Sequence, residues 1–195
     1  LTKKKRVGIT GGIGAGKTLV CRILNAMGYP VFYSDAESKK LLNTDPTVKR
    51  AILALFGTNA YQEDQLNREF IAEHVFNNPE LLAQLNAIAH PAVRAAFEKW
   101  VTEQSSPLVF NEAAILFETG IYKNYDASIL VTAPLELRIN RVIDRDNSDR
   151  ESIQKRIEKQ WPDEKKRSLA DFEIVNNEND LLIPQVLDLI KKLTL

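Results

Sequence analysis

The sequence has few of the residues that mark secreted, metal-bound or membrane proteins. Its 195 residues include one cysteine, Cys21, and two histidines, His74 and His90. A single thiol cannot close an internal disulfide, so the chain suits a reducing compartment. One cysteine and two scattered histidines also lack the spacing of a zinc site. No apolar run reaches the roughly 18 residues of a membrane-spanning helix. Net charge is absent, with 26 Lys and Arg against 26 Asp and Glu. A protein whose main partner is nucleic-acid backbone usually carries a basic excess. The opening Lys3-Lys4-Lys5-Arg6 runs into Val7-Gly8-Ile9-Thr10-Gly11-Gly12, where glycines interrupt what a signal peptide would continue as an apolar helix. It reads as a solvated lead-in to a strand. These absences predict a soluble cytoplasmic protein without nucleic-acid or membrane partners, and leave a monomer or a small homo-oligomer equally open.

What is present supports a core. Hydrophobic residues make up 44% and charged residues 27%, which fits one domain with insertions. Short β-branched runs at Arg6–Thr10, Pro30–Ser34, Leu108–Asn111, Ser128–Thr132 and Phe172–Val175 alternate with amphipathic stretches. That is the α/β pattern, a parallel sheet flanked by helices. Lys17 to Met27 reads as a helix closed by Gly28, and Leu181 to Leu193 as a closing helix. Residues 46–104 carry helical signals and no convincing core strand. Leu81, Leu82, Leu85, Ile88, Ala89, Val93, Ala96, Phe97 and Trp100 recur at helical spacing. Pro91 predicts a kink or break at His90, with a new helix opening there. The core is therefore expected in 1–45, 105–135 and 170–195, with a helical insertion at 46–104 and a second helical block at 136–169.

The sharpest motif is Gly11-Gly12-Ile13-Gly14-Ala15-Gly16-Lys17-Thr18, which satisfies G-x-x-x-x-G-K-[ST] between a strand and a helix. Its glycines let backbone N–H groups turn inward on a phosphate, and the helix N-terminus adds partial positive charge. Lys17 supplies a mobile charge for the outer phosphates, and the Thr18 hydroxyl is placed to ligate Mg²⁺. A dinucleotide fingerprint fails, because its third glycine would fall at Lys17. The motif predicts a nucleoside triphosphate site. No D-x-x-G switch or N-K-x-D string occurs, which argues against a GTPase. The length suits a small-molecule kinase. Another small P-loop kinase and a nucleotide-binding regulator without transfer activity are the alternatives.

A kinase needs a carboxylate near the acceptor hydroxyl and cations around the phosphoryl group. Asp35 follows the second strand, where parallel-sheet residues line the ligand crevice. It could orient or deprotonate a hydroxyl, or cap a helix starting at Ala36. Arg138, Arg141 and Arg145 share one helical face, with Arg150 and Arg156 beyond. They form either a salt-bridged surface or a mobile lid that closes over the triphosphate. Glu112 could support Mg²⁺ through water or be an exposed or capping residue. Cys21 reads as core packing, as do Trp100 and Trp161.

Together these residues resemble the dephospho-coenzyme A kinase family. The resemblance runs through Ile9 to Thr18, Ser34-Asp35-Ala36, Leu85-Asn86-Ala87-Ile88-Ala89-His90-Pro91 and Ile115-Leu116-Phe117-Glu118. It continues through Arg141-Val142-Ile143-Asp144-Arg145-Asp146, Arg150-Glu151 and Ala170-Asp171 leading to Asn176-Asn177. The chain departs where the family often has Asp-Ala-Asp, here Tyr33-Ser34-Asp35, and where it often has proline, here Ala114. The resemblance implies a P-loop core with a helical coenzyme A-binding insertion and a lid. It implies transfer from ATP, with Mg²⁺, to the ribose 3′-hydroxyl of dephospho-coenzyme A. It assigns catalysis to Lys17, Asp35 and Arg141. Nucleotide binding falls to Gly12, Ile13, Gly14, Ala15, Gly16, Lys17, Thr18, Arg141, Arg145 and Asn176. Acceptor binding falls to Asp35, His90 and Glu118.

Overall fold

The computed structural model describes residues 4–194, so Lys3 of the expected lead-in lies outside the described residues. The chain begins with β1 (Lys5–Gly11), α1 (Lys17–Ala26) and β2 (Val31–Tyr33). A helical stretch follows: α2 (Ser34–Thr44), α3 (Pro46–Phe56), the strand pair β3 (Tyr61–Gln62) and β4 (Gln65–Leu66), α4 (Arg68–Phe76) and α5 (Pro79–Glu103). The sheet resumes with β5 (Leu108–Glu112) and β6 (Ala127–Thr132). After it come α6 (Leu135–Asp146), α7 (Arg150–Glu158), α8 (Asp163–Arg167), β7 (Phe172–Val175) and α9 (Leu182–Thr194). All five expected core strands are present, with ends shifted by a residue at most.

Two compact units result: Leu1–Phe32 with Gln104–Leu195, and Tyr33–Glu103. The first holds the sheet, in the order β2-β5-β1-β6-β7. β1 pairs in parallel with β5 and β6, and β6 with β7. Central strands buried on both faces need mostly apolar runs, and every residue of Ala127–Thr132 is buried, with the Ser128 and Thr132 hydroxyls donating to Asp171 and Glu173. β1 lies in the middle, with Ile9 opposite Glu112 and Gly11 opposite Val131. Its carboxyl end therefore opens among the ends of its neighbours. α1 ends as expected at Gly28, whose φ of 86° admits a left-handed turn. Gly28 N–H donates to the Asn25 carbonyl and Tyr29 N–H to that of Leu24, which satisfies two carbonyls at the helix end.

The second unit begins at Tyr33, where the sequence placed the start of the insertion at 46. Its core is Val48, Ile52, Ala60 and Ile71, with Leu85, Ile88 and Ala92 of α5 packed against them. Leu82, expected on the same apolar face, is instead 42% exposed. The expected break at His90 is absent, because α5 runs as a single helix of 25 residues with Pro91 inside. Proline removes one backbone hydrogen bond and crowds the preceding turn. Apolar contacts on both sides of Pro91, from Leu85 and Ile88 to Ala92, hold the helix through that defect.

Pro91→Ala should restore the missing donor and stabilise the chain, by up to about 3 kcal/mol. A thermal unfolding scan reads the effect. A lower midpoint would show that the packing requires the proline-shaped backbone.

Candidate active site

The phosphate loop joins β1 to α1, so the sheet fixes one end and the helix axis the other. Gly16 precedes α1 at φ 95°, a conformation costly for a residue with a side chain. Space is limiting as well. A Cβ on Gly12 would fall on the Arg138 guanidinium, one on Gly14 on the Arg138 backbone, and one on Gly16 on the Asn176 amide. Thr18 is exposed on the first turn of α1. Lys17 Nζ donates to the carbonyls of Gly11 at 2.9 Å and Gly12 at 3.5 Å.

Two further expected residues meet this loop. Asn176 lies just past β7 and is 7% exposed. Its N–H donates to the Thr132 carbonyl at 2.8 Å, and its Nδ2 to the Ala15 carbonyl at 3.0 Å. Arg141, from the middle of α6, donates to the Asn176 carbonyl at 3.2 Å and to its Oδ1 at 3.3 Å. A third guanidinium contact runs to Glu178 at 3.4 Å. Ala15, Asn176 and Arg141 thus form one connected junction. Arg145 lies one turn further along α6, where its 61%-exposed side chain pairs with Asp146 at 2.7 Å. Arg145 and Arg156 hold the Asp146 carboxyl down at about 2.

Arg138 behaves differently from both. It is 6% exposed, donates from Nε to the Ile13 carbonyl at 2.9 Å and pairs with Asp163 at 2.9 Å. Arg138 and Asp163 also line a groove of about 530 Å³ with Thr132, Pro134, Arg167 and Asn177. Glu118 Oε1 accepts the Trp161 N–H at 3.2 Å and lies 3.1 Å from the fully buried Lys166 Nζ. The pair is close in charge, yet the ammonium is not directed into a hydrogen bond, and Glu118 Oε2 is buried without one. Asp163, Gln160 and Lys166 carried no motif; only partners distant in sequence reveal them.

Asp35 and His90 belong to the second unit. α2 starts at Ser34 and no side chain caps it, which removes the expected capping role of Asp35. The chain turns helical directly after β2, so Asp35 falls inside the first turn, where it is exposed. His90 is exposed on α5. Among the described residues, no group of three or more His, Cys, Asp or Glu is placed to hold a metal. Mg²⁺ beside a triphosphate does not need such a cage, because phosphate oxygens and water complete its shell. The exposed Thr18 hydroxyl and the Glu112 carboxylate at the end of β5 suit that kind of site.

A parallel sheet with this loop at the end of its central strand defines a P-loop nucleotide-binding protein. The chain belongs to the dephospho-CoA kinase family, whose model matches residues 5–181. A dephospho-CoA kinase of Bacteroides fragilis is 40% identical over 186 residues, 95% of this chain and 91% of its own. One from Thermus thermophilus is 38% identical over 171 residues, covering 87% and 82%. A crystal structure from Thermus thermophilus superposes with a TM-score of 0.86 at 32% identity, covering 98% of this chain and 97% of its own. The dephospho-CoA kinase of Campylobacter jejuni gives 0.69 at 26%, covering 97% of both. No helix among the described residues is long and apolar enough to cross a membrane.

Cys21 lies on α1 and is fully buried. Burial pushes its thiol up to about 12, the Glu112 charge adds to the rise, and Lys17 opposes it. The reactive thiolate is therefore scarce at neutral pH. An aromatic disulfide reagent at pH 8 should leave Cys21 unmodified in the folded protein and react fully in denaturant. Rapid reaction of the folded protein would contradict the packing around α1.

Proposed function

We propose that the phosphate loop holds ATP for transfer of its γ-phosphoryl group to the ribose 3′-hydroxyl of dephospho-coenzyme A, giving coenzyme A and ADP. The observation that carries this reading is the family match over residues 5–181. Backbone N–H groups between Gly12 and Thr18, other than those of Ile13 and Ala15 that donate to Gln160 and to the Gly12 carbonyl, surround the β- and γ-phosphates together with the N-terminus of α1. Lys17 exchanges its loop carbonyls for γ-phosphate oxygens and stays with them as charge develops. Arg141, already tied to Asn176 beside the loop, binds the nucleotide and stabilises that charge. Arg145 leaves Asp146 as the outer end of the lid expected at 136–169 closes, while Arg138, Gln160 and Asp163 stay with the loop.

Tyr33–Glu103 is the proposed coenzyme A-binding insertion, with His90 in contact with the acceptor. Glu118 binds the acceptor through its buried carboxylate, oriented by Trp161 and Lys166. The 3′-oxygen attacks the γ-phosphorus, the bond to the β–γ bridging oxygen breaks, and Asp35 accepts the hydroxyl proton. Thr18, with Glu112 acting through water, holds Mg²⁺. That ion neutralises phosphate charge when bound. A soluble cytoplasmic enzyme, a monomer or small homo-oligomer, completes the reading.

ADP release should depend on dephospho-coenzyme A and not on AMP or shikimate when the three acceptors are assayed side by side, with product mass as confirmation. Lys17→Ala should reduce that turnover by at least about 10²-fold in a folded protein, on the scale of one lost transition-state contact. Equal turnover with AMP would favour a nucleoside monophosphate kinase. ATP binding without ADP release for any acceptor would favour a regulator.

Asp35→Asn preserves size and leaves the core untouched but cannot accept a proton. Turnover should fall roughly 10²-fold or more while ATP affinity holds. Stability should change by no more than the ~1 kcal/mol of a first-turn charge on the helix dipole. Normal turnover would remove Asp35 from the reaction.

A further inference from the structure

We infer that Arg138, Gln160 and Asp163 are positioning residues that hold the Ile13 peptide units of the phosphate loop and thereby set its shape for nucleotide binding. The inference rests on the donor role given to the loop above. Ile13 is held by all its handles. Its N–H donates to Gln160 Oε1 at 2.9 Å, and its carbonyl accepts from Arg138 Nε at 2.9 Å. Its side chain packs against the buried cluster of Ile139, Val142 and Ile153. Arg138 is held in turn by Asp163 at 2.9 Å, with the two side chains only 7% and 16% exposed.

The charge arrangement separates this role from direct phosphate binding. The Asp163 carboxylate neutralises Arg138, and Nε is committed to a backbone carbonyl. The guanidinium therefore contributes little field at the phosphates and acts through the loop's geometry. Its planar fork serves a carbonyl and a carboxylate in two directions at once, which an ammonium on a flexible stem does poorly. The closeness of Gly12 and Gly14 to Arg138 fits the same conclusion, because side chains there would push the loop off its support. Gln160 and Asp163 lie three residues apart across Pro162, so one short strap supplies both outer ends of the clamp.

The test uses the full chain and a fluorescent ATP analogue, so that loop shape is read without catalysis. Gln160→Leu removes one acceptor from a half-buried position and should weaken nucleotide binding about fivefold to tenfold, the scale of one hydrogen bond. Arg138→Met should weaken binding further and cut kcat by roughly 10²-fold, as expected when reacting groups shift by about 1 Å. In both, KM for ATP should rise while KM for dephospho-coenzyme A stays unchanged. Arg138→Lys should restore less than half of the lost kcat. If Arg138→Met does not fold, Gln160→Leu and Arg138→Lys still decide.

Wild-type nucleotide affinity and kcat in Gln160→Leu and Arg138→Lys would overturn the inference. So would a loss confined to the acceptor KM, or one that only parallels a drop in melting temperature. Absence of acceptor-dependent ADP release in the wild type would instead defeat the kinase reading, and the nucleotide-binding comparison would still test the clamp.

Discussion

A loop that turns its N–H groups toward an anion must turn carbonyls away from it, and those carbonyls need donors of their own. Much of the first unit answers that requirement. Gly11 and Gly12 receive Lys17, Ile13 receives Arg138, Ala15 receives Asn176, and Gly16 receives the N–H groups of Leu19 and Val20. The donors come from α1, α6 and the end of β7, elements far apart in sequence. Gathering them requires β1 to lie between β5 and β6, with β7 next to β6. The strand order and the loop geometry are therefore one constraint expressed at two scales.

The same constraint separates three arginines of one helix. Arg138 is buried and paired, Arg141 bridges Asn176 and Glu178, and Arg145 is mostly exposed on Asp146. Sequence spacing puts them on one face and cannot rank them, because depth is set by what α6 packs against. Ile139 and Val142 face their own small core with Ile153 of α7, and that seats Arg138 beside Ile13. In this structure the row divides along the helix, with Arg138 in a buried pair with Asp163 and Arg145 in an exposed pair with Asp146, whose contribution to stability is small.

The core strands were legible because buried parallel strands need mostly apolar runs, as in Ile129–Val131 of β6. The phosphate loop was legible because few sequences can form it. Other features gave no local signal. The turn between β3 and β4 uses Glu63 at φ 47° and Asp64 at φ 64°, where glycine or asparagine is the usual mark. Lys49 holds Asp64 there at 2.9 Å, a partner the local sequence does not announce. Pro91 misled for the opposite reason. Its local preference is strong, yet the packing of α5 against Val48, Ile52 and Ile71 outweighs it.

Glu118 and Lys166 extend this logic to charge. A fully buried ammonium is costly unless a carboxylate accompanies it, and the carboxylate is costly in return. Each justifies the other only while Trp161 and α8 stay seated near the end of β5. The strap that carries Gln160 and Asp163 to the phosphate loop is the same segment that carries Trp161 and Lys166 to Glu118. Displacing it would uncover the Ile13 N–H, release Arg138 from Asp163 and strand two buried charges together. Four weak or conditional contacts placed on seven consecutive residues therefore behave as a single stiff support. The loop keeps its shape because the cost of losing it falls on all four at once.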